Sequence, residues 1–338
     1  MFVAVAAAIP LRLVLGAVNS ELPFVSIIIP TRPGQSEVPA VNAAGLLDYP
    51  RERLEIIIAR GRQPSVQRNT ALTAARGDLI YFLDDDTLPE VANLRRATDS
   101  FKDEQIKMVG GPNLCPSDAP FLEQVFAVVL SSWLAFGPSR ARYARVGAAR
   151  ASSEKELILC NLAARRADLL ALGGFDESLY PNEENALMDD LQKAGGKLLY
   201  DPEFVAYRRP RSTLAAFIKM LMTYGRGRAE QFRLHPTTHS ILNFVPPLFC
   251  VYLATVPLLA LLRVRTGLIP LMAYVVALLL QTIMSTKDHG FVKGLLALPL
   301  VGLSHVFYGL GFWRGLFTRL KPAGEKPRVE VTLERITL

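Results

Sequence analysis

The sequence has few cysteines and few charged residues for its length. Only Cys115, Cys160 and Cys250 stand among 338 residues, so they cannot all pair, and their spacing does not indicate a zinc site. Free thiols in a reducing compartment are therefore the simplest interpretation. Charged residues make up 20% and hydrophobic residues 50%, which excludes an intrinsically disordered chain and a fully soluble coiled coil.

Charged side chains are missing from three stretches near the C-terminus, residues 242–262, 268–286 and 294–313. Each stretch approaches the roughly 20 apolar residues that a helix needs to cross a bilayer. A buried helix of a soluble protein is the alternative for any single stretch. Three in succession, separated by short charged joints, predict a membrane domain.

The N-terminus is also apolar over residues 1–18, although Pro10 and Arg12 interrupt it. No small-residue cleavage site stands out, so a signal peptide is not favoured. We expect this segment to be packed against protein or to lie at a membrane interface rather than to span.

Between these apolar regions, short β-branched runs alternate with a helical pattern. Residues 24–29 (FVSIII), 54–59 (LEIIIA) and 79–83 (LIYFL) are predicted to be buried parallel strands. The helix before the third strand is expected to begin at a Ser65 cap and to end at Gly77. This alternation predicts a parallel α/β sheet with right-handed crossovers, in which ligands bind beyond the carboxyl ends of the strands.

An acidic turn, Asp84-Asp85-Asp86, follows the third predicted strand. Three neighbouring carboxylates repel one another unless a positive charge joins them. A divalent cation with oxygen ligands would do so, and magnesium often bridges carboxylates to substrate phosphates. The alternative is an acidic turn that caps the next helix, but its place at a strand's carboxyl end favours a binding site.

Three segments in a fixed order carry a family resemblance. VSIIIPTR, ARGDLIYFLDDDTLP and GGFDESLYPNEENALMDDLQKAGGKLLYDPE together resemble the family 2 glycosyltransferases of the GT-A fold, over about residues 24–235. The following YGRGRAEQF and the apolar runs resemble the membrane-anchored branch related to succinoglycan-type glycosyltransferases. The resemblance implies a Rossmann-like GT-A domain at residues 22–235. The apolar and basic stretches predict an apolar segment 1–21, a membrane domain 236–317 with two or three transmembrane helices, and a basic tail 318–338.

The resemblance also implies roles for residues of the donor site. Asp84 and Asp86 take the outer positions of the family's DxD motif, so Asp84 would contact the nucleoside side and both would hold magnesium or manganese on the diphosphate. Asp85 is the variable middle position of this nucleotide-binding motif. Pro30 and Thr31 fall where the family's first loop lines the nucleobase.

Arg68 matches a basic residue that faces the nucleotide in the family. A surface arginine is the alternative, although a place near the start of a helix suits phosphate. One departure concerns the end of the second strand, where the family usually has an acidic base contact. This sequence has Ala59-Arg60-Gly61-Arg62 instead, so the resemblance does not identify the nucleotide.

The catalytic base is expected among two adjacent carboxylates, Glu183 and Glu184. An inverting glycosyl transfer needs a carboxylate that removes the acceptor's proton on the face opposite the leaving group. The second acid of the family's pair is the base, so Glu184 is preferred and Glu183 is the second choice. The alternative is a solvated helix start, capped by Asn182, where acids are favoured by the helix dipole.

Basic residues precede the membrane runs. Arg226 and Arg228, in YGRGR, would bind a diphosphate or lie against anionic lipid headgroups. A second basic cluster, residues 138–155, would act as a lid over the donor or hold a lipid-linked diphosphate. Nucleic acid is the general alternative for basic loops, but the membrane runs argue against it.

The sequence thus predicts a membrane-bound inverting glycosyltransferase that adds one sugar from a nucleotide-sugar donor to a lipid-linked, polyprenyl acceptor. Transfer onto polyprenyl phosphate itself and an inactive membrane scaffold are the alternatives. A multi-pass protein of the inner (plasma) membrane with a cytoplasmic catalytic domain is expected. Three full spans would place the basic tail outside, against the preference of such tails for the cytoplasm. We therefore expect residues 294–313 not to cross and the tail to be cytoplasmic.

Overall fold

The structure, a computed structural model, describes residues 22–179, 182–236, 242–320 and 330–337. The predicted N-terminal segment 1–21 and most of the linker before the last strand lie outside this range. The strands are β1 (Val25–Thr31), β2 (Leu54–Arg60), β3 (Leu79–Leu83), β4 (Leu88–Pro89), β5 (Ile106–Gly110), β6 (Asn113–Leu114), β7 (Arg150–Ser152), β8 (Asn161–Arg165), β9 (Lys197–Tyr200), β10 (Ala206–Tyr207) and β11 (Thr332–Thr337). The α-helices are α1 (Pro39–Ala44), α2 (Pro64–Ala74), α3 (Asn93–Ser100), α4 (Phe121–Leu130), α5 (Trp133–Phe136), α6 (Arg166–Ala171), α7 (Glu183–Lys193), α8 (Leu214–Leu234), α9 (Val245–Leu261), α10 (Ile269–His289) and α11 (Phe291–Phe317).

Eight of the strands form one mixed sheet in the order β11-β2-β1-β3-β8-β5-β9-β7. The three predicted strands became β1, β2 and β3, which pair in parallel. The sheet as a whole is mixed, because β8 runs antiparallel between β3 and β5. β7 and β11 are antiparallel to their neighbours as well. A strand's hydrophobic run predicts burial, but its direction depends on the connection that leads into it.

Both faces of the sheet are covered, which is why its central strands are continuous apolar runs. Ile28, Ile57 and Phe82 point into one core and Ile27 and Ile29 into the other. Each of these side chains is almost completely buried, and burying one contributes about 1.5–3 kcal/mol. The sheet is therefore a rigid platform for whatever lies at its ends.

The helix before β3 differs from its prediction at both ends. α2 begins at Pro64, whose fixed φ suits the first helical position. Ser65 therefore lies inside the first turn and is not the cap; its hydroxyl donates to the carbonyl of Leu179 at 3.1 Å. The helix ends at Ala74, before the predicted Gly77.

Three helices, α9, α10 and α11, are long and apolar enough to cross a membrane. α9 and α10 leave most of their large apolar side chains exposed, as Leu261 at 77% and Met272 at 64% illustrate. α11 instead packs against α4 and α8, where Ala297, Leu300 and Val301 join one apolar core with residues of both helices. α11 is thus packed against helices of the domain that contains the sheet.

The backbones of α8 and α11 lie unusually close together. A side chain at Gly225 would clash with the carbonyl of Tyr308, and one at Gly311 would clash with the carbonyl of Met222. Small residues permit this approach between helices. α8 and α11 therefore run alongside each other over several turns.

The last strand, β11, returns to the sheet. It pairs antiparallel with β2, from Thr332 opposite Arg60 to Thr337 opposite Glu55. The sequence predicts a basic tail here and gives no signal for a strand. β11 covers an edge that would otherwise expose unpaired backbone groups of β2.

We predict that α9 and α10 cross the membrane as a hairpin and that α11 stays on the side of the sheet. The chain leaves the sheet before α9 and rejoins it at β11, so an even number of crossings must separate them. In a cysteine-free variant, Glu330→Cys should resist a membrane-impermeant thiol reagent on intact cells. Thr266→Cys, in the turn between α9 and α10, should be labelled.

Permeabilised cells provide the control, because position 330 should then react. Labelling of Glu330→Cys from outside intact cells would mean that α11 crosses as well.

Candidate active site

The carboxyl ends of β1, β2 and β3 meet at one crevice, because β2 and β3 lie on opposite sides of β1. Such a point, where successive connections diverge, is the usual ligand site of an open α/β sheet. The acidic turn from Asp84 to Asp86 follows β3 at this place, as predicted. The crevice is therefore the candidate site.

Arg68 joins the acidic turn to the helix α7. Its Nη2 donates to Asp84 Oδ1 at 3.1 Å, and its Nη1 donates to Glu183 Oε1 at 3.0 Å. Only 6% of the residue is exposed, so the alternative of a surface arginine is wrong. A buried guanidinium needs such partners, since an unpaired buried charge is costly.

Arg208 occupies the other side of the acidic turn. Its Nη1 lies 2.7 Å from Asp84 Oδ2 and its Nε lies 2.6 Å from Asp86 Oδ1. Arg208 directly follows β10 in the small sheet of β4, β10 and β6. Two carboxylates of the turn thus converge on one positive charge.

This convergence bears on the predicted metal ion. Within the described residues, no three His, Cys, Asp or Glu side chains are grouped to hold a metal. Asp84 and Asp86 nevertheless direct an oxygen each toward a shared cation, the Arg208 guanidinium. Magnesium commonly takes one or two carboxylates and completes its shell with phosphates and water. The pair fits such an ion, provided that Arg208 moves from the position between them.

The two outer carboxyls differ in their electrostatics. Burial alone would raise the pKa of Asp84, but the charges of Arg208 and Arg68 outweigh it and hold this pKa below its usual value. Burial raises the pKa of Asp86, Arg208 opposes the shift, and the neighbouring Asp84 and Asp85 add to it. Asp84 is therefore the firmly ionised member of the pair.

Glu183 and Glu184 form the first turn of α7, and they face different surroundings. Glu183 is 2% exposed and binds Arg68 on the side of the acidic turn. Burial and the charge of Glu184 raise the pKa of Glu183 to about 7, although Arg68 opposes this shift. Asn182 precedes the helix with a φ of 91°, a left-handed conformation that asparagine tolerates. The interpretation of this turn as a simple solvated helix start does not fit a buried Glu183.

Glu184 lies on the other side, beside a cluster of two arginines. Asn185 Nδ2 lies 3.5 Å from Glu184 Oε1, and Asn185 Oδ1 accepts from Arg142 Nη2 at 2.7 Å and from Arg228 Nη2 at 3.4 Å. Burial and the nearby Arg228 lower the pKa of Arg142, with Glu184 opposing them. Two guanidiniums thus share a neutral amide next to the carboxylate of Glu184, an arrangement suited to an anion.

The remaining predicted residues are distributed around the crevice. Pro30 and Thr31 end β1, and Thr31 is 4% exposed. Asp85 Oδ2 accepts from Gln35 Nε2 at 2.8 Å. Arg226 Nε lies 3.4 Å from Glu230 Oε1 on its own helix, whereas Arg228 reaches Asn185. The structure therefore brings Arg228, and not Arg226, into the cluster beside Glu184.

Several site residues were missed or left unassigned in the sequence. Arg208 and Arg142 belonged to basic stretches without a specific partner, and Asn185 and Gln35 carried no signal at all. Arg208, which contacts the acidic turn, also lines a small cavity with Tyr143 and with Tyr224 of α8. Only folding brings these distant residues together.

The mixed sheet with an acidic turn at its switch point defines a GT-A glycosyltransferase fold. A profile of the glycosyltransferase-like family 2 matches residues 3–223, and the chain belongs to that family.

Two known proteins are similar to this chain. "Succinoglycan biosynthesis protein ExoA" of Rhizobium meliloti (strain 1021) is 29% identical over 146 residues, which are 43% of this chain and 44% of that protein. The match thus spans less than half the length of this relative. "Mannosyltransferase PcManGT from Pyrobaculum calidifontis in complex with GDP-Man and Mn2+" has a TM-score of 0.51 and 18% identity, with 88% of both chains covered. That likeness concerns the fold.

We predict that the stability of the protein reports the titration of Glu183. Its pKa is raised from 4.5 to about 7 in the folded protein, so the folded state binds a proton that the unfolded state has lost. The stability from this group is complete below pH 4.5 and is lost as the pH rises through 7. The melting temperature in detergent should therefore fall less steeply between pH 5 and 8 in Glu183→Gln than in the wild type.

The control is Glu104→Gln, which removes an exposed carboxylate and should keep the wild-type slope. Equal slopes for the wild type and Glu183→Gln would show that Glu183 is ionised throughout this range.

Proposed function

We propose that this chain is a membrane-bound, inverting glycosyltransferase that transfers one sugar from a nucleotide sugar to a lipid-linked acceptor in bacterial polysaccharide or glycoconjugate synthesis. The observation that carries the proposal is the position of α7. Its first turn has the Asp84–Arg68–Glu183 network on one side and the Arg142–Asn185–Arg228 cluster on the other. A donor site and an acceptor site would thus meet at Glu184.

On the donor side, Asp84 and Asp86 would hold a divalent cation, magnesium or manganese. When bound, the cation offsets the negative charge that develops on the departing diphosphate. Arg68 and Arg208 contribute two further positive charges at the same turn. Fixed charges aimed at a leaving group stabilise the transition state without reorganising as the reaction proceeds. Pro30, Thr31 and Asp85 would line the nucleoside portion.

On the acceptor side, Glu184 would act as the general base. It takes the proton of the acceptor hydroxyl as the hydroxyl oxygen bonds to the anomeric carbon. The bond from that carbon to the diphosphate breaks at the same time, and its electron pair leaves on the diphosphate oxygen. Glu183 is less suited to this role, because it is buried and bound to Arg68. A partly exposed Glu184 is the more accessible of the two carboxylates.

The acceptor would carry phosphate on a lipid. Arg142 and Arg228 offer two guanidiniums to one anionic group, and Arg228 belongs to α8, which packs along the apolar α11. An acceptor whose polar head reaches Glu184 and whose tail lies among apolar helices fits this arrangement. A polyprenyl-diphosphate sugar would be such an acceptor, and the likeness to a succinoglycan biosynthesis protein supports a role in polysaccharide synthesis.

Transfer onto polyprenyl phosphate itself is the second candidate. The Arg142–Arg228 pair favours it, since two arginines would bind a terminal phosphate directly. Such a nucleophile is already an anion, and Glu184 would then be dispensable. An inactive scaffold fits less well. Asp84, Glu183 and Arg68 form a buried charged network, and stability alone does not require ionic groups in a protein interior.

We also propose the inner (plasma) membrane as the location, with the sheet domain in the cytoplasm. Three helices of membrane-spanning length and composition and the likeness to ExoA support it. Nucleotide sugars would then reach the crevice from the cytoplasm. The exposed apolar side chains of α9 and α10 would lie in lipid, which removes the penalty of leaving them in water.

We predict that Glu184→Gln lowers the turnover number by at least ~10², because the amide cannot take the proton, while donor binding persists. The measurement uses purified protein, a panel of nucleotide sugars, and polyprenyl-diphosphate sugars or polyprenyl phosphate as acceptors, with products identified by mass spectrometry. EDTA should abolish product formation by the wild type.

The matched control is Glu183→Gln, which alters the adjacent carboxylate. If that variant alone is inactive, the base is Glu183. If both variants remain active with polyprenyl phosphate, the second candidate function holds. Full activity in EDTA would exclude the metal ion.

We predict that Arg228→Gln and Arg142→Gln raise the KM for the acceptor at least ~10-fold and leave the KM for the donor unchanged. The loss of one charge-assisted contact with a phosphate has about this effect. Initial rates against acceptor concentration at saturating donor provide the measurement.

Arg140→Gln is the control, because it removes a charge from the same basic stretch, where Arg140 lies over the ring of Trp133. An unchanged acceptor KM in both variants would contradict the proposed phosphate site. Arg142 also donates to the carbonyls of Glu154 and Lys155, so Arg228→Gln is the decisive variant if Arg142→Gln fails to fold.

A further inference from the structure

The loop between β1 and α1, residues 32–38, bridges two sides of the crevice. Gln35 is its central contact: its Nε2 donates to Asp85 Oδ2 at 2.8 Å, and its carbonyl accepts from Arg60 Nη1 at 2.7 Å. Asp85 follows β3 and Arg60 ends β2. The loop therefore extends across the carboxyl ends of all three parallel strands, where a ligand of this fold would bind.

Most residues of this loop are exposed, so few apolar contacts hold it in place. Its position depends on hydrogen bonds, and the one from Arg60 is the short link to β2. A guanidinium can donate to a carbonyl and to a carboxylate at the same time, in a fixed plane. The orientation of Arg60 therefore decides where the loop lies.

A carboxylate from the far end of the chain sets that orientation. Glu334 Oε2 accepts from Arg60 Nη2 at 2.8 Å and from Arg60 Nε at 3.2 Å. Glu334 belongs to β11 and lies on the same face of the sheet edge as Arg60. A series of contacts thus leads from the C-terminal strand to the acidic turn, through Glu334, Arg60, Gln35 and Asp85.

We propose that Glu334 is a positioning residue of the nucleotide site. By fixing Arg60, it holds the loop 32–38 over the crevice, and the C-terminal strand becomes part of the donor site although it follows the membrane helices in sequence. This inference rests on the proposed function, since it takes the ligand at the crevice to be a nucleotide. Glu334 acts through Arg60 and touches no reacting atom.

The test measures the binding of UDP and of GDP, each with magnesium, to the full-length protein by calorimetry. For whichever nucleotide the wild type binds, Glu334→Gln should lower the affinity by about 3- to 10-fold, which is the range expected for one partly exposed ion pair. It should also speed hydrogen exchange of residues 32–38. In transfer assays, the donor KM should rise and the acceptor KM should stay unchanged.

Three variants separate this role from a general structural one. Glu330→Gln removes a neighbouring charge and should behave as the wild type. Arg335→Gln removes another anchor of β11, a contact with Glu55 at 3.4 Å, and should lower the melting temperature without changing nucleotide binding. In a background of Arg60→Gln, Glu334→Gln should have no further effect, because it acts through Arg60.

The proposal is overturned if Glu334→Gln binds nucleotide and exchanges as Glu330→Gln does, or if it binds nucleotide more tightly because Arg60 is released. It is also overturned if Arg335→Gln weakens binding equally. A wild-type protein that binds neither nucleotide would contradict the proposed function instead, and hydrogen exchange at residues 32–38 would still decide whether Glu334 positions the loop.

Discussion

The buried guanidinium of Arg68 is the constraint on which the rest of the site depends. It needs two partners because an unpaired charge in a protein interior is costly, and it finds them in Asp84 and Glu183. Through these contacts α2, the turn after β3 and the first turn of α7 are fixed relative to one another. The same network holds the Glu183 side chain in place. Glu184, one residue further along the helix, faces another environment.

Arginines and carboxylates are interleaved around this network. Arg208 holds Asp84 and Asp86 together, and Arg142 and Arg228 meet at the neutral amide of Asn185. These guanidiniums are held by protein partners, and charges fixed in this way need no reorganisation when a ligand binds. One group of arginines thus lies on each side of the first turn of α7.

The long C-terminal helices are connected to the same site. α8 brings Arg228 to Asn185 and packs along α11 with close backbone contact. α11 also packs on α4, and the chain then returns to the sheet as β11. The apolar C-terminal region therefore shapes the site, since moving α8 would move Arg228.

Much of the framework was readable in the sequence. The runs FVSIII, LEIIIA and LIYFL became β1, β2 and β3, and the charge-free stretches became α9, α10 and α11, because burial on both faces or in lipid requires continuous apolar residues. The acidic turn and the Glu183–Glu184 pair were found at a strand end and a helix start. Ser65 was misassigned, since Pro64 competes for the start of α2.

Sequence alone thus determined the fold class, the family and the places where charged groups would be found, since these follow from local periodicity and from short motifs. Only the tertiary structure decided which charges meet. Arg208 lies 124 residues from Asp84, and Glu334 lies 274 residues from Arg60. Partners at such separations leave no periodic signal in the sequence. The distance between them is set by the packing of the sheet and its helices, and not by the residues adjacent to them in sequence.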